Sequence, residues 1–402
     1  MSANKRIEKV YPLSPMQAGM FFHALKNEKS RAYFEQIIFE IAGNIDPELL
    51  EQSFHLLFER YDILRTVFRA EKLDEPHQFV LTQRNFKLYV EEISHLSEAE
   101  TKIYLEEFAE KDRVKGFDLT KDILMRASLF KKRGNARVLV WSFHHILMDG
   151  WCLGIIYKEL MQIYHSLADG KPVKLEPVTP YINYIHWLER QDKAGGLRYW
   201  ENYLGGYDGR AGLPGKGTGK TKGEEYGAAE YDLELDKKTI AGITALAGEN
   251  RVTLNTLFQT LWGILLQKYN CCDDVVFGAV VSGRPAEVKN IENMIGLFIN
   301  TIPVRVKSQP GCTFVQLLRN INEETILSKQ YEYLPLAEIQ SKTELKEGLI
   351  DHIMVFENIP LAQGITDGGV TMGDVRQHNQ TGYDFNFIII PHGTGRQSFI
   401  IK

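Results

Sequence analysis

The chain has few cysteines for its length: Cys152, Cys271, Cys272 and Cys312 are all that 402 residues contain. They are irregularly spaced and form no CxxC pair, so the sequence indicates neither a disulfide framework nor a zinc site. No apolar run is long enough to span a bilayer, and the charged first residues are not followed by the apolar segment of a secretory signal. We therefore expect a cytoplasmic protein that holds no metal and no membrane anchor.

A strong charge of either sign is also absent, since the formal net charge is -5. No basic stripe with interleaved aromatic residues occurs, which argues against a nucleic-acid partner. Apolar residues make up 44% and charged residues 25% of the chain, values that exclude disorder and collagen-like structure. The length is sufficient for two ordinary hydrophobic cores.

One segment is rich in glycine and lysine, between Gly205 and Gly227, and it predicts a loop or a connection. It contains Gly219-Lys220-Thr221, the end of a phosphate-binding loop motif. That motif requires glycine five positions before Gly219, where this chain has Pro214, and no apolar strand precedes the segment. A nucleotide-binding loop is therefore excluded.

Capping residues and apolar spacing predict helices and strands on both sides of this segment. The predicted helices run from Ser14-Pro15 to about Leu25, Asp46-Pro47 to about Tyr61, Ser97 to about Lys115, Trp151 to about His165, Lys237–Gly248, Leu254–Tyr269 and Phe314–Gln330. The predicted strands are Ile123–Lys131, Ala136–His144, Asp274–Val281, Asp351–Phe356 and Phe385–Ile390, with a further apolar segment at Met294–Val306. Helices mixed with strand pairs, without regular βαβ spacing, predict an α+β fold.

The segment from Val138 to Trp151 carries the clearest chemical signal. Side chains alternate along a strand, so His144 and His145 cannot both face one cavity. Asp149 lies four residues after His145, where it is placed to cap the following helix, and Gly150 permits a tight backbone. A histidine pair alone is typical of ordinary packing, but its combination with aspartate and glycine at a strand–turn–helix junction indicates a functional site.

This pattern, HHxxxDG, is similar to the core motif of the condensation domains of bacterial non-ribosomal peptide synthetases. Other segments resemble further signatures of that family and follow in its order. They are Leu13 to His23, Glu59 to Phe68 (departing from RHExLRTxF at Tyr61 and Asp62), Tyr181 to Trp187, Ile295 to Thr301 (GxFxNT), Gln330 to Leu336 and Asp351 to Asn358. The resemblance therefore extends over nearly the whole chain.

The resemblance implies two lobes of chloramphenicol-acetyltransferase type in a V-shaped pseudo-dimer, here residues 1–178 and 179–402, with the second lobe incomplete at its C terminus. It implies that upstream and downstream carrier domains deliver substrates on phosphopantetheine arms, that an adenylation domain is adjacent, and that the domain binds no cofactor of its own. The amine of the acceptor then attacks the thioester of the donor, which makes the domain an acyltransferase-type enzyme.

The resemblance also assigns roles to residues. His145, Asp149 and Gly150 form the catalytic motif: His145 acts as a base or positions the amine, Gly150 offers a backbone amide, and Asp149 pairs with Arg284 to bridge the lobes. His144, Arg284 and Arg65 support the site. The residues expected to line the substrate tunnel are Met16, Gln17, Met20, Trp151, Phe298, Asn300 and Thr301.

Several alternatives stay open. An epimerisation domain shares HHxxxDG but needs a second acid–base group, commonly in a Glu-Gly-His-Gly-Arg-Glu stretch that is missing here. A heterocyclisation domain replaces the histidines with aspartate, and a single-lobe HxxxD acyltransferase carries Asp-Phe-Gly-Trp-Gly; this chain does neither. A non-catalytic recruitment module is a further alternative. The sequence favours an L-configured donor but leaves side-chain preference and product undetermined.

Overall fold

The computed structural model of the chain describes residues 6–27, 31–43, 45–70, 75–134, 136–209, 211–213, 231–357, 366–367, 370–378, 381–392 and 398–401. Within these ranges helices and sheets are mixed, which confirms the α+β prediction. Most of the glycine-rich segment lies outside the described residues. None of the helices in the described ranges is long and apolar enough to cross a membrane.

Capping residues mark the starts of several of the described helices. They are α1 (Pro15–Lys26), α2 (Pro47–Arg60), α3 (Glu98–Lys115), α4 (Gly150–Ala168), α5 (Ile182–Glu189), α6 (Lys193–Leu204), α7 (Lys237–Asn250), α8 (Leu254–Asn270), α9 (Phe314–Ser328) and α10 (Leu336–Ser341). Ser14 and Ser97 each form a complete capping box, with Gln17 and Glu100 respectively. Asp46 caps α2 by accepting from the N–H groups of Glu48 and Leu49, so the predicted starts of α1, α2 and α3 are confirmed.

The described strands form three sheets. They are β1 (Ile7–Pro12), β2 (Phe34–Ala42), β3 (Thr66–Arg69), β4 (His77–Leu81), β5 (Tyr89–Glu92), β6 (Met125–Lys131), β7 (Ala136–His144), β8 (Leu233–Glu234), β9 (Asp274–Val281), β10 (Asn300–Lys307), β11 (Ile353–Phe356), β12 (Thr366–Asp367), β13 (Val370–His378), β14 (Asn386–His392) and β15 (Ser398–Ile401). Their orders are β1-β4-β3, β12-β13-β2-β7-β6-β5 and β10-β9-β11-β14-β15-β8.

The chain divides into two compact units that do not follow a single cut along the sequence. The first contains residues Met1–Arg190, Arg284–Phe298 and Ile359–Gly382, and the second contains Gln191–Gly283, Ile299–Asn358 and Tyr383–Lys402. Arg284 therefore belongs to the first unit, although its position in the sequence lies beyond residue 178. The lobe boundary at 178/179 stays a prediction.

In the first unit, strand β7 is buried on both faces, from Val138 to His144. Val138 and Val140 pack on the side of α3, with Phe130 of β6, whereas Trp141 meets Phe54 of α2 on the other side. Because the side-chain period of a strand is two, His144 continues the α3-facing set. The antiparallel pairing of β2 with β7 places Phe34 opposite His144.

The second unit has its own core, built where α8 and α9 cover the sheet around β9 and β10. Trp262 of α8 donates from Nε1 to Nε2 of the fully buried His352 at 3.0 Å, and the other ring nitrogen of His352 bonds Asp351. The two bonds fix the tautomer of His352. The sequence assigned His352 no role beyond packing or surface placement, and burial in this core is what we find.

One local expectation fails. Asp149 occupies the N-cap position of α4, but its side chain makes no capping hydrogen bond. Contacts from elsewhere in the chain engage the carboxylate instead. The segment Met294–Val306, which the sequence marked only as apolar, contributes a strand from Asn300 onward.

Candidate active site

His144 is the last residue of β7 and is held from two sides. Its backbone N–H donates to the carbonyl of Leu124 at 3.0 Å, and its Nδ1 accepts from the N–H of Ile146 at 3.1 Å. The residue is buried, with 6% exposure. Burial lowers the pKa of the His144 imidazole to about 3, and the neighbouring histidines His145 and His23 contribute to this depression. His144 is therefore a neutral, structurally engaged ring.

His145 begins a 3₁₀ turn over His145–Leu147, and its backbone N–H donates to the carbonyl of Tyr33 at 2.8 Å. The residue is only partly buried, and among the described residues its Nδ1 has no hydrogen-bond partner. Burial lowers the pKa of the imidazole below its usual value, and the backbone of His145, the nearby Asp149 carboxylate and the backbone of Met148 oppose this only in part. His145 is thus a neutral imidazole whose buried Nδ1 has no partner among the described residues, and a neutral imidazole can accept a proton.

Both oxygens of Asp149 are occupied. Oδ1 accepts from the Arg284 guanidinium at 3.0 Å, and Oδ2 accepts from the N–H of Phe298 at 3.2 Å. Its own N–H donates to the carbonyl of Gly296 at 3.3 Å. The side chain is 2% exposed. Asp149 therefore ties the start of α4 to residues 296–298 of the same unit and is not free to act as a base.

Arg284 extends this connection. One terminal nitrogen donates to the carbonyls of Ile291 and Met294, and the other reaches Asp149. The guanidinium carbon lies 4.0 Å from the centre of the Phe298 ring, at cation–π distance. The arginine thus holds the segment from Ile291 to Phe298 against the motif, and the Asp149–Arg284 pair lies within the first compact unit.

Cys152 is a member of this network that the sequence did not reveal. Its Sγ lies 3.2 Å from Asp149 Oδ1, 3.2 Å from the carbonyl oxygen of Gly296 and 3.2 Å from a terminal nitrogen of Arg284. Burial, reinforced by Asp149, raises the pKa of the thiol to about 12, so it stays protonated and donates. The available signal was its position three residues after Asp149, which places both on one face of a helix start.

We expect Cys152→Ser to retain stability and Cys152→Val to lose it. Serine keeps a donor and an acceptor in place, whereas valine fills a similar volume but leaves buried polar partners unsatisfied, at a cost of about 1–3 kcal/mol. Urea unfolding of the two variants measures the difference. The opposite order, with valine the more stable, would mean that Cys152 only fills space.

The residues expected to line the tunnel fall into different environments. Gln17 is fully buried, and its amide nitrogen donates to the carbonyl of Ile146 at 3.2 Å, directly below the histidine turn. Trp151 is 39% exposed and donates from Nε1 to the carbonyl of Glu292 at 2.9 Å. Met16 is partly buried, whereas Met20 and Phe298 are almost fully buried. A tunnel role for each stays a prediction.

Asn300 and Thr301 belong to the second unit. The amide of Asn300 donates to the carbonyls of Glu332 and Leu334, both at 2.7 Å, and its Oδ1 accepts from the N–H of Thr301 at 2.9 Å. Asn300 therefore holds the turn before α10.

Arg65 lies in the first unit. Its guanidinium donates hydrogen bonds to Glu8, to Asp62 and to the carbonyls of Leu81 and Thr82. Arg65 thereby connects β1, β4 and the turn after α2.

A cavity of about 710 Å³ in the first unit reaches His144. Its wall includes His23 of α1 and Phe34 of β2, and its charged residues are Arg31, Arg113, Lys115 and Asp118. Arg31 and Arg113 both pair with Glu110. The lining residues therefore include three cations and one carboxylate, and two of the cations share Glu110 as a partner.

The buried His144 predicts a dependence of stability on pH. Its pKa is near 6.5 in the unfolded chain and about 3 in the folded one, so only the unfolded state binds a proton between these values. The contribution of His144 to the free energy of unfolding is complete above pH 6.5 and decreases as the pH falls towards 3. We expect the difference in stability between wild type and His144→Asn, which keeps an acceptor but cannot titrate, to shrink or reverse over this interval. A difference that is constant from pH 7 to pH 4 in urea titrations would contradict the assignment.

Within the described ranges, no three histidine, cysteine, aspartate or glutamate side chains group in a way that could hold a metal ion. The carboxylate of Asp149 and the Nδ1 of His144 are instead engaged with other protein groups.

Solved structures share this architecture. The chain resembles the starter condensation domain of rhizomide synthetase with a TM-score of 0.80 and 17% identity, covering 98% of this chain and 88% of the other. The first condensation domain of the CDA synthetase matches with a TM-score of 0.75 and 17% identity, over 98% and 90% of the two chains. The fold is that of condensation domains.

Sequence comparisons carry the assignment further. The family model of the condensation domain matches residues 7–399, and the chain belongs to that family. It is 44% identical to gramicidin S synthase 2 of Brevibacillus brevis, over 96% of this chain and 9% of that protein. It is also 40% identical to tyrocidine synthase 2 of Brevibacillus parabrevis, over 97% and 11%. The chain thus spans only a small part of these relatives.

Proposed function

We propose that this domain joins two carrier-bound substrates through an amide bond in non-ribosomal peptide synthesis. The donor is an aminoacyl or peptidyl thioester, and the acceptor is the amine of an aminoacyl thioester. The observation that carries the proposal is His145: a neutral imidazole in an intact HHxxxDG motif that Asp149 and Arg284 hold in place.

The reaction balances with the groups present. The amine nitrogen attacks the thioester carbonyl carbon, the C–N bond forms, and the C–S bond breaks to release the donor thiol. The nitrogen loses a proton, which His145 accepts and passes to the leaving sulfur. General-base catalysis contributes roughly 10²–10⁴-fold, whereas holding both reactants together reaches effective molarities of about 10⁵–10⁸ M. Positioning of the amine therefore supplies the larger share of the acceleration.

The negative charge that develops on the thioester oxygen needs a donor. Gly150 is the first residue of α4, and the first N–H groups of a helix have no partner within it. The helix dipole adds partial positive charge at the same end. The backbone amide of Gly150 is our candidate for this role, since preorganised backbone donors are effective in such sites.

Carrier domains are the proposed partners, together with an adjacent adenylation domain, in the cytoplasm. The cavity beside His144, with a volume of about 710 Å³ and Lys115 among its lining residues, supports the proposal that a phosphopantetheine arm enters there. The exposed side chains of Leu25 and Val114 also line the cavity, so apolar surface lies beside the charged residue Lys115. The arms would enter as substrate carriers, and the domain itself would bind no cofactor.

The test is a reconstituted reaction with a loaded donor carrier and a loaded acceptor carrier, read by mass spectrometry of the intact carriers. We expect a dipeptidyl acceptor carrier, and a faster reaction with an L donor than with its D isomer. Omission of the acceptor in D₂O is the control. Solvent deuterium at the α-carbon of the donor without any dipeptide would indicate epimerisation. Carrier binding without either reaction would indicate a recruitment module.

A further inference from the structure

Tyr33 has a backbone conformation that aromatic residues rarely adopt. Its φ is 66°, in the left-handed region, within a turn closed by the N–H of Phe34 on the carbonyl of Arg31 at 3.3 Å. Two other positive-φ residues have an ordinary explanation, because Arg251 and Cys271 end helices α7 and α8. Tyr33 instead precedes a strand, at a turn position that favours glycine. Glycine would adopt this φ without strain, so the backbone of Tyr33 is held in a strained conformation.

The strained residue touches the histidine pair with both its backbone and its ring. Its carbonyl accepts the N–H of His145 at 2.8 Å, which fixes where the 3₁₀ turn begins. Its ring packs edge-on against His23, with centroids 5.4 Å apart, and lies 6.4 Å from the ring of His144. His23 and His144 both line the 710 Å³ cavity.

The hydroxyl end of Tyr33 is held as well. It lies close to Gly382, where an added Cβ would stand 3.2 Å from the Tyr33 oxygen and 3.7 Å from Nε2 of His23. Glycine at 382 thus lets this segment approach the tyrosine without a clash. Backbone, ring and hydroxyl are each fixed by a different part of the first unit.

We propose that Tyr33 is a positioning residue for condensation, acting through His145, and that its left-handed backbone is retained for this purpose. The inference rests on the proposed function. In the left-handed conformation the carbonyl reaches the N–H of His145 while the ring packs between His23 and His144. With a negative φ at this position, either the carbonyl or the ring of Tyr33 would point elsewhere.

The test separates the contribution of the ring from the backbone strain with three substitutions. Tyr33→Phe keeps ring and strain, Tyr33→Ala keeps strain alone, and Tyr33→Gly keeps neither. We expect Tyr33→Phe to turn over within about threefold of wild type, because the ring and backbone are intact. Tyr33→Ala and Tyr33→Gly should lose about 10–100-fold in kcat with little change in KM for the loaded carriers, since a small misplacement of a catalytic group costs this much.

Thermal unfolding supplies the second readout. We expect the Tyr33→Gly variant to have a higher melting temperature than the Tyr33→Ala variant. At positions with negative φ the order is the reverse. Arg251→Gly against Arg251→Ala is the matched control: it should give the same order of melting temperatures and no change in kcat. A Tyr33→Gly enzyme that is as fast as wild type, or a loss of rate that only follows the folded fraction, would overturn the proposal.

The proposed function and the proposed role of Tyr33 are contradicted by different results. If the wild-type domain forms no dipeptide, the proposed function is wrong. Histidine-ring NMR then still tests the placement, because loss of the tyrosine ring current should move the His23 and His144 signals in Tyr33→Gly but not in Tyr33→Phe. Unmoved signals in the glycine variant would contradict the geometry whatever the activity.

Discussion

His145→Ala is expected to lower the rate of dipeptide formation by about 10²–10⁴-fold, the range of general acid–base catalysis. The imidazole is neutral because burial depresses its pKa, and its Nδ1 is uncommitted among the described residues. Its removal therefore takes away a proton acceptor without breaking a side-chain hydrogen bond of that nitrogen. Single-turnover kinetics with loaded carriers measure the loss, and circular dichroism checks that the fold persists.

Two further variants sharpen this result. His186→Ala removes an exposed histidine of α5 in the same unit and should leave the rate unchanged. His145→Gln retains hydrogen bonding without useful basicity, so a rate well above that of His145→Ala would identify positioning as the main role. If His145 acts as a base, the rate falls as the pH drops through its depressed pKa, below 6.5. A His145→Ala rate equal to wild type would remove the residue from the mechanism.

Asp149→Ala is expected to destabilise the domain by about 3–5 kcal/mol, because it leaves the Arg284 guanidinium buried without its counter-ion. The two side chains are only 2% and 7% exposed. The carboxylate also receives the N–H of Phe298, so that donor loses its partner as well. Urea unfolding should show a lower midpoint, and the condensation rate should fall because residues 291–298 are no longer held.

The matching controls test the reason and not only the size of the effect. Asp169→Ala breaks an exposed ion pair with Lys171 and should leave the urea midpoint nearly unchanged, because water and salt screen such a pair. Asp149→Ala combined with Arg284→Met should be more stable than Asp149→Ala alone, since the unpaired charge is gone. A soluble Asp149→Ala protein that unfolds like wild type would show that the pair contributes little.

Local sequence rules were sufficient for the starts of several helices, although α5, α6 and α10 were not predicted. Capping serines, Pro15 and Pro47 placed the starts of α1, α2 and α3 correctly, because capping depends on residues three or four apart. The same rule failed at Asp149, whose carboxylate found stronger partners in Arg284 and the N–H of Phe298. A charged donor far along the chain outcompeted a backbone amide nearby.

Some site residues could be predicted from the sequence and others could not. HHxxxDG and the segment around Phe298 could be recognised from their letters, and Arg284 followed from the resemblance. Cys152 was missed, since its spacing of three residues from Asp149 does not by itself distinguish a network member from an ordinary buried cysteine. Tyr33 could not either: β2 was not predicted, and a positive φ at a tyrosine leaves no mark in the sequence.

The sequence by itself determined the α+β class, the principal helices, the strand leading into His144 and the membership in the condensation family. These depend on hydrophobic period, capping and short motifs, all of which act over a few residues. Only the tertiary structure decided that Asp149 is tied to Arg284, that Cys152 joins them, and that the carbonyl of Tyr33 receives the N–H of His145. The contacts of Arg284 with Cys152 and Asp149 join residues that are 132 and 135 positions apart, and only the packed sheets and helices bring them together.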